Sequence, residues 1–261
     1  MRLSSHARWL VDEMVIYGIN PVLEALRAGR ATALRVGPRG GGRIHELLAL
    51  AAERGVTVQR VQPDVLDRLA KGGVHQGVVA DADDAVGDYS VEELVRGAAG
   101  QPLIVVLDGI EDPHNLGAIL RTADAAGVDG VVVQNRRAAA LGGAAAKASA
   151  GAVAHVKIAQ VVNIARAIEE LKEIGVWTVG LAGDADTMYD AIDFTIPTAV
   201  VVGAEGTGLR RLVREKCDFI AQIPMRGHVS SLNVSVATGV VLYEAVRQRT
   251  GNGAGSGKSR K

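Results

Sequence analysis

The sequence predicts an α/β protein: a helix-covered parallel sheet in the C-terminal two-thirds, preceded by a small α/β module. Three observations predict it. From Pro102 onward, short, mainly apolar runs (residues 103–107, 130–133, 176–181, 199–202 and 219–223) alternate with helical stretches. Strands buried on both faces of a parallel sheet show that pattern. Residues 15–82 alternate shorter strand and helix patterns of their own. Between the two parts, residues 83–101 are acidic, then Gly- and Ala-containing, which reads as a linker with a weak helix at 91–96.

In the first module, Asn20-Pro21 opens a helix, with Asn20 as N-cap and Pro21 at the first helical position. Val22, Leu23, Ala25 and Leu26 supply its apolar face. Residues 34–36 read as a strand and 37–42 as a Gly-rich loop. Residues 43–54 form a helix with Ile44, Leu47, Leu48 and Ala51 on one side. A strand at 56–58, a helix at 64–70 and a strand at 77–80 complete the module. In the second part, helices are expected at 115–126 and 232–249. The domains are therefore expected at 1–82 and 102–250, with the linker at 83–101. The Gly- and Ser-rich end, residues 251–261, is expected to be a disordered tail.

Hydrophobic residues make up 48% and aromatics only 3%, so the core must be built from Val, Leu, Ile and Ala. Twenty-nine basic residues balance 29 acidic ones, which excludes a purely electrostatic nucleic-acid binder. Local basic patches remain open: Arg30, Arg35, Arg39 and Arg43 follow one another with no acidic residue between them. No apolar run reaches the ~20 residues of a membrane helix, and residues 1–10 lack the apolar region of a signal peptide. The single cysteine, Cys217, excludes an intrachain disulfide and reads as a half-buried structural residue. A cytoplasmic location and no metal site are expected, because one Cys and scattered His make no zinc pattern.

Familiar nucleotide signatures fail. Residues 203–208 follow a strand, but Glu205 stands in the loop and would repel a pyrophosphate. The tail ends Gly257-Lys258-Ser259 without the strand and helix a phosphate loop requires. Three other constellations carry chemistry. The first runs from Asp108 to Ala123, at the end of a strand, where open α/β sheets place ligands; it contains Asn115 and, six residues on, Arg121. Taken singly, Asn115 reads equally as a helix cap and Arg121 as a surface charge. The second, residues 200–209, puts three glycines and Glu205 in one turn, allowing close backbone approach to a ligand. The third, residues 223–237, crowds Ser230, Ser231, Asn233 and Ser235 at the entry of the last helix. Ser231 reads as its N-cap. Asn233 and Ser235 are poor helix residues, so an outside partner is expected for them.

These three stretches, in this order and spacing, resemble the three motifs of the SpoU-type RNA methyltransferases of the SPOUT superfamily. Tyr17-Gly18-Ile19-Asn20-Pro21 and Val74-His75-Gln76-Gly77-Val78 resemble the substrate-binding domain of one subgroup, the bacterial 23S rRNA (guanosine-2′-O-)methyltransferases. The resemblance implies a parallel sheet whose C-terminal segment is threaded into a deep trefoil knot, a feature otherwise almost absent from proteins. It implies S-adenosylmethionine as cofactor, held by Gly203, Ile223 and Leu232, with residues 178–183 as a further wall. It implies a catalytic set of Asn115, Arg121, Glu205, Ser231 and Asn233, with Ser235 close by. The family assigns deprotonation to the arginine matching Arg121. A guanidinium is protonated near neutrality, so a grip on phosphate is the alternative role. RNA, most specifically 23S rRNA, is the expected partner, with Arg35, Arg39 and Arg43 as RNA contacts. A homodimer through the knotted domain is implied, and Leu232, Val236, Val240 and Tyr243 form an apolar stripe on the last helix that suits it. Competing readings are a SpoU enzyme for tRNA or for an antibiotic-resistance site, a non-catalytic RNA-binding protein, and a Rossmann dehydrogenase. The last fails on the missing glycine fingerprint.

Overall fold

A computed structural model describes residues 14–38, 42–82, 89–135, 149, 152 and 155–251. Arg39, residues 83–88 of the expected linker and residues 252–261 of the expected tail lie outside these. The chain divides into two units, residues 1–85 and 86–261.

The first unit is a four-stranded sheet with three helices. In chain order its elements are β1 (Met14–Tyr17), α1 (Ile19–Arg27), β2 (Ala31–Val36), α2 (Gly42–Glu53), β3 (Thr57–Arg60), α3 (Pro63–Leu69) and β4 (Val78–Ala82). The strand order is β1-β4-β2-β3. β4 runs antiparallel to both neighbours, while β2 and β3 are parallel. Val22, Leu23 and Leu26 of α1 and Leu47 of α2 are buried with Leu34, Val36 and residues 78–80 of the sheet.

The first helix starts two residues earlier than the sequence suggests. Gly18, not Asn20, occupies the N-cap, at φ 95°, a backbone angle that favours glycine. Asn20 lies in the helix, and its side-chain oxygen accepts from Arg43 at 2.6 Å. The cap is supplied from afar: the Ile19 N–H donates to Gln76 Oε1 at 2.9 Å. Thus the two separated motifs, Tyr17-Gly18 and Gln76-Gly77, meet in space.

The second unit begins with α4 (Val91–Arg96), then β5 (Leu103–Asp108), α5 (Pro113–Ala125), β6 (Gly130–Gln134), β7 (Ile158–Val161) and α6 (Ile164–Glu173). β8 (Trp177–Leu181), β9 (Thr187–Met188), a single 3-10 turn (Tyr189–Ala191), β10 (Thr198–Gly203), α7 (Arg211–Lys216), β11 (Phe219–Gln222) and α8 (Val234–Gly251) follow. The seven strands lie in the order β7-β6-β5-β10-β8-β11-β9, and every pairing is parallel. β5 and β10 are buried along their whole length, as their unbroken apolar runs require. Alternate residues Ile104, Val106, Ala199 and Val201 join one core cluster with residues of α4, α6 and α7. α5 packs against α8, and α8 against β10.

Residues 89–101 do not form a bare linker. Ser90 caps α4 through a reciprocal capping box with Glu93, and Val91 and Leu94 enter the core cluster beside Ile168 and Leu171. A Cβ added to Gly130 would fall 2.6 Å from Leu94, so strand and helix touch there. Sequence reading missed β1, β7, β9 and α6. For α6 the signal was present: Asn163 accepts from the N–H groups of Ala165 and Arg166 as a cap, and Ile164, Ile168 and Leu171 recur at helical spacing.

Candidate active site

The C-terminal ends of β8, β10 and β11 open onto a cavity of about 630 Å³. Its walls come from residues 181–184, 202–209 and 230–234, with Arg214, Ala221, Ile223, Met225 and Ala237. Gly203, Ile223 and Leu232 all line it, together with Glu205, Ser231 and Asn233. The wall expected from residues 178–183 begins later. Thr178 is fully buried and does not line the cavity; its N–H and hydroxyl both donate to Asp218.

The loop after β10 is folded tightly on itself. Ala204 and Gly208 exchange both backbone hydrogen bonds, at 3.1 and 2.8 Å. A Cβ added to Gly203 would lie 2.1 Å from the Gly208 carbonyl carbon, so only glycine fits there. The loop's exit is tied down by a residue the sequence reading did not single out. Asp108, at the end of β5 and almost wholly buried, accepts from the Arg210 N–H at 2.8 Å and from its guanidinium at 2.5 Å. A carboxylate closing a buried strand was the available signal. Across the cavity, Arg214 donates to both oxygens of Asp184 at 2.8 and 3.0 Å, which lowers the Asp184 pKa.

α5 begins at Pro113, capped by Asp112, whose carboxylate accepts from the His114 N–H. Asn115 is therefore not the cap; it sits inside the first turn, 8% exposed. α8 begins at Val234, later than the sequence suggests. Its cap role falls to Asn233, not Ser231: Asn233 Oδ1 accepts from the Ser235 N–H at 2.9 Å. The Ser235 hydroxyl donates to the same oxygen at 2.6 Å. Asn233 and Ser235 thus satisfy each other locally instead of waiting for a ligand. The Asn233 amide nitrogen then reaches two motifs at once, Asn115 Oδ1 at 3.0 Å and Glu205 Oε1 at 2.6 Å. Three of the five expected catalytic residues are joined by this one amide.

Arg121 is set apart. It is exposed on α5 and lines neither this cavity nor the smaller one beside it. Its guanidinium has no hydrogen bond or ion pair among the described residues. The smaller cavity, about 210 Å³, is lined by residues 109–112, Asn115, Ala204, Glu205 and Val234. Cys217 is half-buried and its thiol donates to the Val213 carbonyl at 3.3 Å. Burial first, and the charge of Asp218 second, push its pKa up to about 12, so it is an unreactive structural thiol.

Of the expected RNA contacts in the first unit, Arg35 donates to Asp81 at 2.6 Å and is largely covered. Arg43 is exposed beside Asn20. Among the described residues no three His, Cys, Asp or Glu side chains are placed to hold a metal ion, and no helix is long and apolar enough to cross a membrane.

Residues 102–243, which carry all three motifs, match the model of the SpoU rRNA methylase family. The chain belongs to the SpoU rRNA methylase family. Residues 15–85 match a second model, RNA 2′-O ribose methyltransferase substrate binding. A relative of this SpoU protein in Pseudomonas aeruginosa, the 23S rRNA (guanosine-2′-O-)-methyltransferase RlmB, is 46% identical over 240 residues, covering 90% of this chain and 96% of its own. The Pseudomonas syringae RlmB is 45% identical over the same length. Among solved structures, the SpoU methyltransferase AviRb from Streptomyces viridochromogenes in complex with AdoMet is 28% identical, with a TM-score of 0.75. The match covers 92% of this chain and 91% of that one. An AdoMet-bound rRNA methyltransferase from Sinorhizobium meliloti matches with 27% identity and the same TM-score, over 90% and 87%.

Proposed function

We propose that this SpoU protein methylates the ribose 2′-oxygen of a guanosine in 23S rRNA, using S-adenosylmethionine. The observation that carries the reading is the joined Asn115–Asn233–Glu205 cluster on the rim of a glycine-built cavity. The cavity suits the cofactor. Its volume falls within the range of small-molecule sites. Leu181, Val202, Leu209 and Ile223 offer apolar walls to a flat base. Gly203, Ile223 and Leu232 hold it, largely through backbone groups.

When bound, S-adenosylmethionine supplies a methyl group already activated on sulfonium. The protein therefore need supply no nucleophile of its own; it must orient the ribose hydroxyl and exclude competing geometry. Asn115, Glu205 and Ser231 orient the ribose and its backbone, and Asn233 fixes Asn115 against Glu205. Arg121, charged and exposed, grips the phosphate next to the target.

The N-terminal domain, residues 1–82, captures RNA with Arg39 of its Gly-rich loop and Arg43 at the start of α2; Arg35 is held by Asp81 and stabilises the module. Residues 102–250 form the methyltransferase domain, with its C-terminal segment threaded as the SPOUT knot, a reading supported by the insertion of β10 between β5 and β8. The protein acts as a homodimer in the cytoplasm. Val236 and Tyr243 of α8 are about half exposed, which suits a second copy more than the core.

The test is a map of methylated riboses in 23S rRNA from a deletion strain. One guanosine is expected to lose its methyl group and to regain it with the wild-type gene. Arg121→Ala is expected to fail in that rescue while binding S-adenosylmethionine normally in calorimetry. Loss of a ribose methyl from tRNA alone, or no change in any RNA, overturns the assignment.

A further inference from the structure

The last helix is gripped at its far end by side chains that the methyl-transfer site does not use. α8 has 18 residues and spans about 27 Å. It starts beside the large cavity, where Val234 and Ala237 form part of the wall. It ends at the opposite edge of the sheet, where β5 and β10 begin. Its apolar grip stops short of that end, because beyond Ala245 none of its residues is buried. Polar contacts take over. Gln248 Oε1 accepts from the Phe194 N–H at 2.9 Å, and its amide nitrogen donates to the Ile192 carbonyl at 3.0 Å. The Arg249 guanidinium donates to four carbonyl oxygens: Phe194 at 2.8 Å, Gln101 at 2.5 Å, Pro102 at 3.0 Å and Ile196 at 3.2 Å. Gln101 and Pro102 lead into β5, and Phe194 and Ile196 lead into β10. Among the described residues no carboxylate pairs with Arg249. Burial lowers its pKa, and Asp129 opposes that only through its field. A half-buried cation without a counter-ion is costly, so the four carbonyls are what hold it there. A planar fork suits such a cradle, whereas a lysine ammonium is a single point charge.

We propose that Arg249 is a positioning residue for the cofactor: by pinning the far end of α8 to the starts of β5 and β10, it fixes the helix that walls the S-adenosylmethionine cavity. The proposal rests on the cofactor part of the reading above and not on the choice of RNA. Arg249 touches neither cofactor nor RNA. It acts through the helix, which shifts on its neighbours as one packed body. Slack at Arg249 therefore changes the space between Val234 and Ala237 on the helix and Val202 and Ala221 on the sheet, all four of which line the cavity. Gln248 assists. The Phe194 N–H can only donate, so it orients the Gln248 amide and draws residues 192–194 against the helix, with the Phe194 ring fully buried.

The experiment compares wild type, Arg249→Ala, Arg249→Lys and Arg166→Ala at a temperature where circular dichroism shows each folded. Arg166→Ala is the control, because it removes an exposed arginine of α6 whose partner is Glu170. Affinity for S-adenosylmethionine is read by calorimetry, and amide hydrogen exchange is followed along α8. Both Arg249 variants are expected to bind S-adenosylmethionine on the order of tenfold more weakly. Their amides are expected to exchange faster at residues 237–242, next to the cavity, as well as at 246–251. Guanidinium ion at millimolar concentration refills the carbonyl cradle of Arg249→Ala and restores part of its affinity, with no gain for wild type. Arg166→Ala matches wild type. Where Arg249→Ala does not fold, Arg249→Lys carries the same test. Affinity within about twofold of wild type, or faster exchange confined to residues 246–251, overturns the proposal and leaves the methyltransferase reading standing. No binding of S-adenosylmethionine by the wild type overturns both.

Discussion

Asn233 does two jobs with one side chain, because its place at the start of α8 turns its oxygen inward and its nitrogen toward the site. The two jobs can be separated by a single substitution. Asn233→Asp keeps the oxygen that caps the helix, since Asp is as good an N-cap as Asn. It replaces the donor with an acceptor aimed at Asn115 Oδ1 and the Glu205 carboxylate, so two attractive contacts become repulsive. Thermal unfolding is expected to shift little, while methyl transfer falls on the order of 10²-fold or more. A variant that is destabilised and still active would show that Asn233 serves only the helix. From sequence, the resemblance to the SpoU motifs brought Asn115, Glu205, Ser231 and Asn233 forward as a set. What sequence could not give was the cap register. Ser231 and Asn233 are both acceptable caps, and only the hydrogen bond to Ser235 decides between them. Asp108 was passed over for a similar reason: its partner, Arg210, is 102 residues away.

At the scale of elements, legibility followed burial. β5 and β10 are covered on both faces and read as unbroken apolar runs; they were placed within a residue or so of their observed ends. β1, β7 and β9 are two to four residues long, too short for alternation to show. α4 was seen as a weak helix but read as part of a linker, because six residues carry only two apolar side chains into the core, Val91 and Leu94. Those two contacts have a measurable consequence. Leu94→Ala removes a fully buried side chain and is expected to cost about 2–5 kcal/mol, read as a lower denaturant midpoint. A fragment beginning at residue 102 should be destabilised in the same way relative to one beginning at residue 89. Equal stability of the two fragments would return residues 89–101 to the status of a tether.

The whole molecule carries no net charge, yet the proposed substrate is a polyanion. Attraction must therefore be local, and the first unit's arginines are the sequence's best basic feature. The structure divides that feature. Arg35 lies on β2 and is paired with Asp81 on β4, which is itself buried; its charge is already balanced inside the module. Arg43 stands exposed at the start of α2. The three arginines should thus behave differently when removed. Arg35→Ala leaves a buried carboxylate without its cation and is expected to cost about 3 kcal/mol of stability, with little change in how RNA binding by the folded protein depends on salt. The double change of Arg39 and Arg43 to Ala should leave stability alone. It should weaken RNA binding and flatten the log–log salt slope by roughly 1.4, at about 0.7 per lost phosphate contact on a single strand. S-adenosylmethionine affinity should not move in either protein, because its cavity is built wholly from the second unit. Deleting residues 1–82 should carry the effect to its limit, with cofactor binding kept and RNA capture lost. If the double variant binds RNA with unchanged affinity and slope, RNA capture belongs to the second unit, where Arg121 and Arg226 are exposed.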